Sequence, residues 1–174
     1  MVNLKGKHIY LRALEPEDLE FIHEIENNQK IWEISNTITP YSKFLIKQYL
    51  ENAHQDIYEA KQLRLVICDI EDEALGLVDL FDFDFKNKRA GIGILIKDEI
   101  NRQRGYGQEA LKLLMHYCNS HLDLHQLYCN ISEDNTISLK LFESLGFITV
   151  GIKKEWNYVN GLYKNEYLLQ RILN

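Results

Sequence analysis

The apolar run Ile92 to Ile96 is followed, after a polar stretch, by Arg102-Gln103-Arg104-Gly105-Tyr106-Gly107-Gln108-Glu109-Ala110. That segment opens a helical pattern carried by Ala110, Leu111, Leu114, Met115 and Cys118. A strand, a cationic loop and a helix begun at glycines form, in that order, a recurrent anion site. The first N–H groups of a helix lack carbonyl partners and its dipole places partial positive charge there, so a phosphate satisfies both. Gly105 and Gly107 carry no Cβ, so a ligand can approach the main chain and positive φ costs little.

Gly105-Tyr106-Gly107-Gln108-Glu109-Ala110 also fits the dinucleotide fingerprint G-x-G-x-x-A. That fingerprint sets its first glycine directly after the strand. Here the mostly polar Lys97 to Arg104 intervene, and the reading is set aside on context. No G-x-x-x-x-G-K-[ST] segment occurs, so a nucleoside triphosphate P-loop is not expected.

A length of 174 residues fits one domain, 1–174, and 45% hydrophobic residues are enough for a substantial core. No apolar run reaches the roughly 18 residues of a membrane span, and no signal-peptide h-region opens the chain, so a cytoplasmic protein without a membrane partner is expected. Cys68, Cys118 and Cys129 lie far apart with no C-x-x-C pair and read as buried free thiols. His121 and His125 lack an H-E-x-x-H frame, so no metal is expected. With a formal charge of −6 and no long basic tract, nucleic acid is not an expected partner, whereas a cationic ligand suits the chain. An anion site must then be local, and Lys97, Arg102 and Arg104 supply that locality.

Ile9 to Ala13 reads as a strand, and Glu15-Pro16-Glu17-Asp18 as a helix start. That helix stops at Asn27-Asn28, and Ser42 is placed to cap a second. Leu63 to Ile70, Ala74 to Phe83 and Gly91 to Ile96 form a three-strand meander. After the glycine helix come a strand, Gln126 to Ile131, and a helix from Asn135-Thr136 through Phe142 that ends at Gly146. Thr149 to Val159 and Leu162 to Leu169 flank Asn160-Gly161, a strong hairpin signal.

Several short motifs run through this order. Ile9-Tyr10-Leu11-Arg12 precedes Glu17-Asp18-Leu19; Arg102-x-x-Gly105-x-Gly107 follows; then come Asn135 with Ser138, Leu145-Gly146-Phe147, and Trp156-x-Tyr158-x-Asn160-Gly161-x-Tyr163. In this set the chain resembles the GNAT superfamily of acetyl-CoA-dependent N-acetyltransferases, within the branch of spermidine and ribosomal-protein N-terminal acetyltransferases. The resemblance implies an α+β fold: a mixed, mainly antiparallel central sheet of about seven strands with about four helices, its central strands splayed. It implies acetyl-CoA as cosubstrate and no metal. Pantetheine would lie along Ile94, Leu95 and Ile96, in the gap before Gln126 to Ile131. The amides of Arg102, Gln103, Arg104, Gly105, Tyr106, Gly107 and Gln108 would hold the pyrophosphate, and the Asn135 side chain would bond the pantetheine arm. An Asn before a helix is equally an N-cap. The implied acceptor is a small-molecule amine such as a polyamine, or a protein N-terminus, and a homo-oligomer is compatible with the family.

Acetyl transfer needs a neutral nitrogen beside the thioester carbonyl. An alkylamine of pKa about 10.4 is deprotonated in only about one molecule in 2,500 at pH 7, a cost of about 4.6 kcal/mol. By the resemblance, Asp79 stands at a strand position where the family often carries an acid. It is the expected general base, directly or through water, and part of the acceptor site. The near-alternation of Asp79, Asp82 and Asp84 equally describes the wet face of an antiparallel sheet. Glu33, in the Asn27 to Asn36 loop, is a second expected contact for the amine. Two positions depart from the family: Gly91 stands where many relatives have Glu, and Phe142 where many have a Tyr that protonates the leaving thiolate. The alternative to an enzyme is a non-catalytic acyl-CoA-binding or regulatory module on the same fold.

Overall fold

The computed structural model describes residues 4–102 and 104–173. Its strands are β1 (Ile9–Ala13), β2 (Leu63–Asp69), β3 (Ala74–Asp84), β4 (Arg89–Ile96), β5 (Gln126–Ser132), β6 (Ile148–Val159) and β7 (Leu162–Ile172). They form one sheet in the order β1-β2-β3-β4-β5-β7-β6, antiparallel throughout except between β4 and β5. The helices are α1 (Leu19–Glu26), α2 (Gln29–Ser35), α3 (Lys43–Glu51), α4 (Ile57–Ala60), α5 (Tyr106–Ser120) and α6 (Thr136–Ser144).

The mixed, mainly antiparallel α+β sheet expected from the sequence is therefore present, with six α-helices among the described residues instead of about four. The two additions are α2 and α4. Asn28 caps α2 by accepting from the Lys30 N–H, Asn36 closes it at φ 53°, and only Ile31 is buried along it. With α4 a single turn, neither helix writes an apolar stripe into the sequence.

Alternation along the strands sorts side chains onto two covered faces. Leu65, Ile67, Val78, Leu80, Ile92 and Leu127 pack against α5 through Leu111, Leu114 and Cys118, and Phe142 of α6 joins this cluster. On the other face, Val66, Cys68 and Leu77 meet Ile22 and Ile25 of α1 and Ile46 and Leu50 of α3.

The turn from β1 into α1 is fixed by Arg12, whose Nη1 and Nη2 each donate to Asp18 at 2.8 Å, while the Glu15 N–H donates to the same carboxylate. Burial alone would raise the Asp18 pKa; these bonds outweigh it and leave it lowered. The pair therefore contributes its full stability above the ordinary carboxylate pKa of about 3.9, and that contribution is lost as pH falls through the lowered value.

Candidate active site

β4 and β5 pair over three positions only, Arg89 with Gln126, Ala90 with Leu127 and Gly91 with Tyr128. Past these the strands diverge, although β4 stays on β3 as far as Ile96 opposite Gly76, and β5 stays on β7 as far as Ser132 opposite Glu166. The result is a V-shaped gap between the carboxyl ends of two parallel strands, with the main chain of Ile94, Leu95 and Ile96 along one wall. Backbone groups on an unpaired edge need partners, which is what an extended ligand supplies.

The glycine loop closes the mouth of this gap. Gly105 is the N-cap of α5 at φ 84°, ψ −5°, a left-handed conformation that favours glycine. A Cβ at Gly107 would stand 3.4 Å from Cδ1 of Ile94, so the first turn of α5 packs directly on the β4 wall. The amides of Tyr106, Gly107 and Gln108 belong to that first turn and have no intrahelical acceptors. Arg102 ties the loop down by donating from Nε to the Ile96 carbonyl at 3.2 Å, and Arg104 is exposed. Gln103 lies outside the described residues. Lys97 does not join these cations, because its ammonium is spent on Glu24, whose pKa it lowers.

Asn135 is the N-cap of α6 at the far wall, where Oδ1 accepts from the Ser138 N–H at 3.2 Å. Its carbonyl is therefore engaged, and what the side chain can offer a ligand is its NH2 group.

Asp79 sits on β3 directly opposite Gly93 of β4 and Arg64 of β2, on the face covered by α1 and α3. Arg64 holds it from two nitrogens, Nε to Oδ1 at 2.6 Å and Nη2 to Oδ2 at 3.3 Å, and donates from Nη1 to Glu26 of α1 at 2.7 Å. Burial alone would lower the Arg64 pKa, and the two carboxylates more than reverse that. The three charges line a cavity of about 490 Å3 with Tyr41, Tyr49 and Phe81. Gly91 is where the Phe81 ring lies, since a Cβ there would fall 2.1 Å from its Cε2. Phe81 in turn meets Tyr128 edge-on across the closed end of the V, at 5.8 Å between centroids.

The other expected acids are engaged elsewhere. Glu33 belongs to helix α2, not to a loop, and accepts from the Lys164 ammonium, which Asp134 also holds. Asp134 and Glu33 together raise the Lys164 pKa. Glu33 is not on the cavity that Asp79 lines. Asp82 sits at φ 48° in a bulge of β3 and accepts from the Tyr128 hydroxyl at 3.3 Å, and Asp84 caps the β3–β4 turn through Asn87. Phe142 is buried edge-on against Phe147, 5.1 Å between centroids. Sequence reading passed over Arg64 and Glu26. A guanidinium inside the otherwise apolar Leu63–Cys68 run was the signal available, because Arg is rarely buried without a partner.

Residues 8–148 match the acetyltransferase (GNAT) domain family. The chain belongs to the GNAT acetyltransferases. As a member, the protein is an acyltransferase that takes acetyl-CoA as its donor and an amine as its acceptor. It is 31% identical over 168 residues to spermidine N(1)-acetyltransferase of Vibrio cholerae, covering 95% of each chain. The crystal structure of the Vibrio cholerae spermidine N-acetyltransferase in complex with CoA and spermine superposes with a TM-score of 0.84 at 28% identity, over 95% of both chains. A dodecameric structure of the enzyme from the same organism gives a TM-score of 0.79 at 27% identity, over 95% of this chain and 94% of that one.

Proposed function

We propose that this GNAT acetyltransferase acetylates a primary amine of a small polycation, a polyamine. The observation that carries this reading is the cavity in which Glu26 and Asp79 outnumber the single cation Arg64 beside the gap. Its relatives of known substrate name support it. In this reading the amides of Tyr106, Gly107 and Gln108 hold the donor's pyrophosphate, with Arg102, Arg104 and Gly105 shaping the loop. Ile94, Leu95 and Ile96 bond the pantetheine through main-chain groups, and Asn135 donates to it from its NH2. The donor supplies a thioester carbonyl open to attack. Gly93 leaves the α1/α3 face uncovered beside that carbonyl, and Asp79, directly across from it, receives the amine.

A carboxylate is too weak a base to deprotonate a free alkylammonium of pKa about 10.4. The amine therefore attacks in its rare neutral form, its first proton having gone to solvent; as the C–N bond forms the nitrogen becomes cationic and acidic, and the CoA thiolate leaves while one of the nitrogen's two protons passes, directly or through water, to Asp79. Its negative charge also draws the cation in. A panel of polyamines, amino sugars, aminoglycosides and N-terminal peptides, followed by release of free thiol, tests the reading. Polyamines are expected to give the highest kcat/KM. At saturating acetyl-CoA, the amine's KM should rise with salt as the screening length falls from about 10 Å at 0.1 M to about 3 Å at 1 M. A flat response, or preference for a neutral acceptor or a peptide, would overturn it; binding of CoA with no turnover would leave a binding module.

We infer also that the protein self-associates through β6. This edge strand exposes Ile148, Val150, Ile152, Trp156 and Tyr158, and a long apolar edge is a template for pairing. Light scattering of the purified chain should give a multiple of 20.6 kDa, and a monomer at all concentrations would refute it.

A further inference from the structure

On the outer side of α5, Lys112, His116 and Arg171 line a shallow cavity of about 500 Å3 together with Asn119 and Ser144. No Asp or Glu is among its lining residues, and none of the three basic side chains is paired with a carboxylate among the described residues. Arg12, Arg64, Lys97, Lys153 and Lys164, by contrast, are held by carboxylates in a chain of net charge −6. Lys112, Met115, His116 and Asn119 fall at i, i+3, i+4 and i+7 and so share one face of α5. Arg171 reaches in from β7, with Nη1 3.3 Å from where a Cβ on Gly146 would stand, so its guanidinium rests on the turn that ends α6.

The cavity adjoins the glycine loop. Gln108, in the first turn of α5, donates from Nε2 to Oγ of Ser144 on the cavity wall at 3.3 Å. Lys112 follows Tyr106 by about 9 Å of helix rise.

We infer that this cavity binds a phosphate monoester, and that during turnover it takes the 3′-phosphate on the ribose of acetyl-CoA. The inference rests on the donor reading above. With the pyrophosphate at the first turn of α5, the 3′-phosphate lies one ribose further on, and an acidic protein repels that dianion unless local cations receive it. Lys112 and Arg171 supply two, and Arg can meet a phosphate with two parallel N–H bonds.

The test compares KM for acetyl-CoA and 3′-dephospho-acetyl-CoA, followed by thiol release, in the parent, Lys112→Ala and Lys112→Ala/Arg171→Ala. The parent should favour acetyl-CoA by about tenfold or more, the scale of charge-assisted hydrogen bonds. The double variant should lose most of that preference by a rise in KM for acetyl-CoA, with the dephospho compound moving far less. Lys112 is exposed and carries the test alone should Arg171→Ala fail to fold. Equal KM values in the parent, or equal rises for both donors in the variants, would overturn the inference. Calorimetry with inorganic phosphate separates the two sources of the ligand: phosphate binding lost in the double variant, while CoA and dephospho-CoA bind alike, would also overturn the assignment to CoA. If neither donor turns over, the acetyltransferase reading fails, and calorimetry of CoA against dephospho-CoA still decides the cavity.

Discussion

Gly105→Val is expected to weaken acetyl-CoA binding by at least about 100-fold while the chain remains folded. Two effects act in one direction. At φ 84° a β-branched residue is strained by about 1–3 kcal/mol, which it relieves by swinging the loop and the first amides of α5 away from their common aim. Among the described residues, its chain neighbours aside, no atom lies within 4 Å of a Cβ at this position, so the added methyl groups project into the space through which an anion approaches. The lack of a clash with the protein is the reason the fold should survive. Gly105→Ala separates the contributions, keeping the φ strain with less intrusion, and should fall between parent and Val. Gly107→Ala should do less than either, since its Cβ would find ordinary contacts at 3.4 and 3.5 Å with Ile94 and Leu141. Isothermal calorimetry with CoA, beside a thermal melt, reads both properties; unchanged affinity in folded Gly105→Val would remove this loop from the donor site.

Asp79→Asn is expected to lower kcat by about 10²-fold, the ordinary scale of a proton acceptor in the transition state, and to raise KM for the amine as well. The second effect follows from the charges. With Asp79 neutral, Arg64 is left with Glu26 alone, and the cavity no longer carries more negative than positive charge. Phe142→Tyr is the informative contrast. A thiolate with pKa near 8.5 gains only about 2 kcal/mol from protonation at pH 7, against about 4.6 for freeing the amine, so a general acid adds at most about tenfold. The new hydroxyl must also find room where the Phe142 ring is only 3% exposed. Paired pH–rate profiles decide: a large gain from Phe142→Tyr with no loss from Asp79→Asn would move the proton chemistry away from β3.

The fold was legible wherever one local rule decided the conformation. Asn160 and Gly161 both adopt positive φ, at 50° and 84°, and join the β6–β7 hairpin where the dipeptide announced it. The apolar stripe from Ala110 to Cys118 is buried along α5 as its spacing required. Helix α2 escaped notice because what holds it is tertiary: Ile31 in the core and the Trp32 indole donating to the Glu26 carbonyl. The site divides in the same way. Gly105 and Asn135 are local caps that a motif can point to. The partners of Asp79 and Glu33, by contrast, lie 15 and 131 residues away and are set by strand register and by the meeting of α2 with β7 at Lys164. Charge type could be read from the chain; which opposite charge each carboxylate meets could not.

The seam between β4 and β5 makes this sheet two plates and not one. Its three rungs compare with five to eight matched positions at every other junction, and regions with few backbone bonds open at lower free energy than their surroundings. The plates β1 to β4 and β5-β7-β6 therefore stand to each other as the arms of tweezers, with Arg89 to Gly91 as the pivot and the tips at Ile96 and Ser132. A strand-like ligand laid between the tips supplies the missing rungs, so its grip and the stiffness of the whole sheet are one quantity. In the donor reading proposed above, releasing the spent donor then amounts to unfastening that seam.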